Sequence, residues 1–165
     1  KPWRLRARLH VIRSEQTDPF PIADTTTEDE AVVAFTSGST GIPKGVMLSH
    51  ENIYTAIYNV VFNERSTEND RALCFLPFNH VFAQMHIMNA TLVSGGCIEL
   101  IPAFNLEDVL EITAAGKVTK LYGVPTVYVR LLSVENLREN LGAVRYSFSA
   151  VCLGSSLHPL RSSEK

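Results

Sequence analysis

The chain has 165 residues, 45% of them hydrophobic and 19% charged, a composition that supports a globular domain with a sizeable core and excludes a disordered chain. Its formal net charge of -2 provides no basic stripe for nucleic acid and no polybasic segment for anionic lipid, so an anionic ligand has to be held by local groups. Cys74, Cys97 and Cys152 stand far apart without a C-x-x-C pair, and fit reduced thiols in a cytoplasmic protein better than a disulfide framework.

In chain order, Leu5, Ala7, Leu9 and Val11 alternate with Arg4, Arg6, Arg8 and His10, the period-two pattern of a half-exposed strand. Residues 14–30 carry Pro19, Pro21, three consecutive threonines and a spread of acidic side chains, which makes them a polar linker. The chain thus divides into an N-terminal strand and linker, 1–30, and a main α/β portion, 31–165. It begins at Lys1 without an apolar signal core, and is expected to start inside a longer protein.

Residues 31–35 (AVVAF) read as a strand and 46–48 (VML) as a second one. Between them lie Thr36, Ser37, Gly38, Ser39, Thr40, Gly41, Ile42, Pro43, Lys44 and Gly45, in which three of the nine glycines, four hydroxyl residues and one lysine fall together. Glycines at 38, 41 and 45 allow positive φ and close backbone approach, so N–H groups can turn inward as an anion-binding nest while the hydroxyls and Lys44 add donors. A Walker loop needs Gly-Lys-Ser/Thr leading into a helix, whereas here Pro43 precedes Lys44 and Gly45 follows it. The segment reads instead as a strand-loop-strand phosphate clamp.

Ser49 is placed to cap a helix over 50–62 with Ile53, Ile57, Val60 and Val61 as its apolar stripe, and His50 and Glu51 in a solvated first turn. Residues 63–71 read as a charged turn to which no chemistry is assigned, and 72–75 as a short strand. The apolar stretch 81–101 contains Gln84, His86, Asn89, Thr91, Ser94 and Glu99, too polar to span a membrane, although peripheral association stays open. His80 and His86 do not share a helix face at a spacing of six, so no metal site is assigned; Met85, Met88 and Leu92 fall at helical spacing and are expected to pack. Strand 97–101, a helix opening at Asn105, strand 119–122, a helix from Pro125 through Leu132 and a strand over 144–149 complete an α/β alternation.

Residues 35–52, FTSGSTGIPKGVMLSHEN, resemble the phosphate-loop signature of the adenylate-forming (AMP-binding) acyl-activating enzymes, most like the acyl-CoA ligases. The segment LPFNHVFA, 76–83, is similar to the family's Leu-Pro-x-x-His-x-x-Gly motif, with His80 on the motif histidine and Ala83 on the glycine. The resemblance implies a layered sheet with flanking helices, an incomplete portion of the family's large N-terminal domain. It also implies ATP-dependent activation of a small-molecule carboxylic acid, fatty or aryl, to an acyl-adenylate, followed by thioester formation with coenzyme A, with Mg2+ accompanying ATP. Thr36 to Gly41, Lys44 and Gly45 would hold phosphate, and Lys44 and His80 would act in catalysis, His80 by donating to the acid's carboxylate or gating its pocket.

The Gly-Val-Pro-Thr run at 123–126 resembles a family opening and is taken as scaffold and a wall of the acyl pocket. Residues 149–154 keep the alanine, leucine and last glycine of the family's adenine-side turn but place Ser149 on its first glycine and Cys152 on its proline, so 150–165 read as divergent or truncated. The later magnesium, ribose and catalytic-lysine motifs do not appear, so the 165-residue chain by itself is expected to be inactive. The alternative is a non-catalytic nucleotide-binding or interaction module. The specific acid and the oligomeric state are not legible.

Overall fold

A computed structural model describes residues 23–36 and 42–150. The alternating segment 4–11, loop residues Ser37, Gly38, Ser39, Thr40 and Gly41, and everything after 150, Cys152 included, lie outside the described residues.

Strands β1 (Glu30–Thr36) and β2 (Lys44–Ser49) form an antiparallel hairpin. Helix α1 (His50–Asn63) leaves β2 without a linker because Ser49 both ends the strand and caps the helix. Its hydroxyl accepts from the Asn52 N–H at 3.2 Å, and the Asn52 side chain accepts from the Ser49 N–H at 3.1 Å, a capping box that pairs two otherwise orphaned donors. As expected from the sequence, His50 and Glu51 point to solvent; their backbone N–H groups bond Asp29 and Thr27, pinning the linker to the helix start.

The main sheet is built from β3 (Arg71–Cys74), β4 (Cys97–Leu100), β5 (Lys120–Gly123) and β6 (Tyr146–Ser149), parallel throughout in the order β4-β3-β5-β6. Parallel neighbours need crossovers, supplied by α2 (Phe82–Asn89), α3 (Ala90–Val93), α4 (Leu106–Ala114), α5 (Pro125–Leu132) and α6 (Leu137–Asn140). Strand alternation sends Leu73 into a core with Val109, Val118, Leu121, Val127 and Leu131, and Ala72 and Cys74 into a second with Ala83, Ile87 and Tyr122. Two covered faces explain why RALCF reads as a nearly continuous apolar run.

The helix starts follow local chemistry. Asn105 Oδ1 accepts from the N–H groups of Glu107 and Asp108, and Pro125 occupies the first turn of α5, where its missing donor costs nothing.

Helix α2 departs from expectation. It is a π-helix, with the wider i→i+5 ladder, so an α-helical spacing does not describe its faces. Met85 is buried and Met88 half-buried, but Leu92, in α3, is 58% exposed and does not pack as expected. Ala83, set on the motif glycine, is fully buried against the sheet, so its methyl is core. Of the described thiols Cys74 is buried, its Sγ donating to the Leu76 carbonyl, whereas Cys97 is exposed.

Candidate active site

The hairpin register places Thr36 opposite Lys44, and the Thr36 hydroxyl donates to the Lys44 carbonyl at 3.4 Å. The two residues that bracket the glycine- and hydroxyl-rich segment are thereby held side by side, and both are exposed. Gly45 has a different role from the one expected. It is extended within β2, outside the positive-φ glycines of the described residues, and pairs with Phe35. A Cβ there would stand 3.0 Å from Val33 Cγ1, so close packing across the hairpin, rather than a nest turn, accounts for the glycine.

His80 lies in the turn between β3 and α2, exposed. Its Nδ1 accepts from the Phe82 N–H at 3.1 Å, which leaves Nε2 to carry the proton of the neutral ring and act as donor. The His80 carbonyl accepts from the Gln84 N–H, so the ring is fixed to the first turn of α2 by both side chain and backbone. The hairpin packs on α1 and α1 packs on α2, so the two candidate segments are carried on neighbouring elements. Leu76, Phe104, Val124, Thr126 and Arg130 help line a cleft of about 240 Å3, to which the Leu-Pro and Gly-Val-Pro-Thr segments both contribute.

The structure adds a buried polar cluster in the region assigned no chemistry. Glu64, just past α1, accepts from His86 Nε2 at 2.7 Å, Lys120 Nζ at 2.9 Å and the Tyr122 hydroxyl. Burial pushes its carboxyl up, but the bonds from His86, Tyr122 and Lys120 outweigh that and hold it below the usual range. Asp70 is likewise buried. It accepts from the Thr67 N–H at 2.8 Å, the Thr119 hydroxyl at 3.0 Å and Arg145 Nε at 3.0 Å, with Lys120 at 3.6 Å. Burial again raises its carboxyl, and the Arg145, Thr67, Lys120 and Thr119 interactions bring it lower. Tyr122 is pushed up by burial and by its bond to Glu64, and burial takes Tyr128 up to about 12. His86, considered in sequence only as a metal ligand, belongs to this cluster, its ring against Phe82, Phe148 and Tyr122. The signal available in sequence was Lys120, a lysine inside a strand that the α/β pattern buries and which therefore needs an anionic partner.

Both carboxyls have depressed folded values, so their stabilisation is complete above the ordinary values, 4.5 for Glu64 and 3.8 for Asp70, and is lost as pH falls through the lower folded ones. The urea midpoint is expected to be flat from neutrality down to about pH 5 and then to fall, and a midpoint that rises on acidification contradicts the assignment.

A parallel sheet with flanking helices, an antiparallel hairpin appended to it and an exposed histidine turn make up an α/β domain. A model described as AMP-binding enzyme matches residues 4–161, and the chain belongs to that family. It is 35% identical over 127 residues to 4-coumarate--CoA ligase 4 of Arabidopsis thaliana, covering 74% of this chain and 22% of the relative. It is 32% identical over 169 residues to a long-chain-fatty-acid--CoA ligase of Bacillus subtilis, covering 96% of this chain and 29% of the relative. Among solved structures, ATP-bound MatB from Rhodopseudomonas palustris superposes with a TM-score of 0.73 at 34% identity, over 79% of this chain and 26% of that one. The chain therefore spans between a fifth and a third of the length of these proteins. Among the described residues no helix is long and apolar enough to cross a membrane.

Proposed function

We propose that the protein carrying this chain activates a small carboxylic acid with ATP and passes the acyl group to coenzyme A. The observation that carries the reading is the hairpin register that sets Thr36 beside Lys44 at the base of the Ser37–Gly41 segment, on a chain of the AMP-binding family. Lys44 opposes the charge of the β- and γ-phosphates, the hydroxyls of Ser37, Ser39 and Thr40 and the N–H groups of Gly38 and Gly41 donate to their oxygens, and Thr36, bonded to the Lys44 carbonyl, holds the base of the loop. His80 Nε2–H holds one oxygen of the acid's carboxylate. The other oxygen attacks the α-phosphorus; the bond to the bridging oxygen breaks and pyrophosphate leaves. The thiolate of coenzyme A then attacks the acyl carbonyl and expels AMP.

The chemistry asked of these residues is positioning and charge neutralisation. Among the described residues no group of three acidic, histidine or cysteine side chains stands together for a metal, and Glu64 and Asp70 are spent in ion pairs. These residues do not themselves fit a magnesium site, and no step here passes through one. The similarity of relatives named for 4-coumarate and for long-chain fatty acids supports an aryl or fatty acid as substrate.

Acid-dependent exchange of labelled pyrophosphate into ATP by the full-length protein tests the reading, with 4-coumarate, palmitate and acetate as the acids. Exchange with at least one is expected, and its absence with all three overturns the proposal. Saturable ATP binding without exchange is the result a non-catalytic nucleotide module gives. His80→Ala is expected to lower exchange by about 10- to 100-fold, the value of a charge-assisted hydrogen bond, chiefly through KM for the acid. An unchanged KM for the acid removes His80 from the site.

A further inference from the structure

The two halves of the proposed site reach the body of the domain through two helices. α1 begins on Ser49, where the hairpin ends, and finishes against Glu64. α2 begins one residue after His80, which its first turn grips through Phe82 and Gln84. At the far end of α1 the Glu64 carboxylate accepts from His86, in the middle of α2, at 2.7 Å. The same carboxylate is fixed to β5 by Lys120 and Tyr122, and its side chain is 3% exposed, so it cannot swing to follow a moving helix.

The π form of α2 gives this contact added weight. A run of i→i+5 bonds is rare and is held by tertiary contacts. Ala83 and Ile87 press the helix on the sheet, but apolar packing is non-directional and tolerates rotation. The His86–Glu64 bond is directional, and the ring is flanked by Phe82 and Phe148 at centroid distances of 5.1 and 4.7 Å. Without His86 that directional restraint on the winding of α2 is gone, and the first turn of α2 is the one that holds His80.

We propose that His86, clamped by Glu64, is a positioning residue that holds His80 in place through the winding of α2 and so tunes use of the carboxylic acid. The proposal rests on the acid-activating reading above. His86 touches no substrate; it acts through the winding of α2.

The test uses pyrophosphate exchange by the full-length protein with the best-used of 4-coumarate, palmitate and acetate, and rates normalised to folded protein. His86→Ala is expected to raise KM for the acid about tenfold while KM for ATP stays within about twofold, because α1 and the hairpin keep their own contacts. His86→Gln, whose amide can still donate to Glu64, is expected to restore KM for the acid to within about threefold of wild type. Equal loss in both KM values, a fall only in the amount of active enzyme, or no rescue by glutamine overturns the positioning role. If His80→Ala leaves KM for the acid unchanged, the assignment of His80 fails and this proposal with it. If His80→Ala raises KM for the acid and His86→Ala does not, only the inference made here fails. Absence of exchange with every acid overturns both.

Discussion

Replacement of Lys44 by alanine in the full-length protein is expected to raise KM for ATP and lower pyrophosphate exchange by roughly 10- to 100-fold. The magnitude follows from a charge-assisted hydrogen bond to phosphate, worth about 1.5–3 kcal/mol, and from tenfold per 1.4 kcal/mol. The residue is exposed and its described contacts within the hairpin are backbone ones, through its ladder pairing with Thr36 and its carbonyl bond to the Thr36 hydroxyl. Alanine keeps that backbone, so the loss is one of charge and not of fold. Arginine keeps the charge with a longer, planar head and is expected to recover part of the exchange. Thermal melting unaltered by Lys44→Ala together with a raised KM for ATP meets the expectation; unchanged ATP dependence removes Lys44 from the site.

The hairpin around Lys44 was legible in sequence because its signal is local. Two short apolar runs on either side of a glycine- and hydroxyl-rich segment imply a hairpin, and the structure returns it with Thr36 and Lys44 paired. The same holds for the helix starts, where Ser49, Asn105 and Pro125 each act on groups within three residues. The α/β alternation was legible for a related reason: strands buried on two faces and helices with one apolar stripe leave different periods in the chain.

What was not legible depends on distance along the chain. Glu64 meets Lys120 across 56 positions and Asp70 meets Arg145 across 75, and neither acid differs in its neighbourhood from a solvated turn. His86 belongs to the same class, since its partner lies 22 residues away. The winding of α2 is not legible because a π-helix has no composition of its own; an α-helical period places Leu92 inside, where the structure leaves it exposed. Gly45 shows the converse error. A glycine in a loop-like sequence suggests a turn residue, whereas the constraint is the Val33 side chain across the hairpin.

Glu64 supplies the larger expected effect on stability. Glu64→Ala leaves Lys120 buried with Ser66 and a weaker Asp70 partner at 3.6 Å, and leaves the Tyr122 hydroxyl without its acceptor. Breaking a buried pair from one side costs about 3–5 kcal/mol, and the remaining Asp70 places this case toward the lower figure. Against a domain stability of about 5–15 kcal/mol such a loss shifts the urea midpoint strongly. The cost can come from the under-compensated ammonium or from the missing attraction, and the two explanations predict different double variants. If the stranded charge dominates, Glu64→Leu combined with Lys120→Met is expected to recover most of the stability lost by Glu64→Ala, because the buried charge leaves with its partner. If attraction within the pair dominates, the double variant stays as unstable as the single one. Equilibrium urea unfolding of the three proteins, followed by tryptophan-independent far-UV signal, separates the two, and a Glu64→Ala variant within about 1 kcal/mol of wild type contradicts a tightly paired carboxylate at this position.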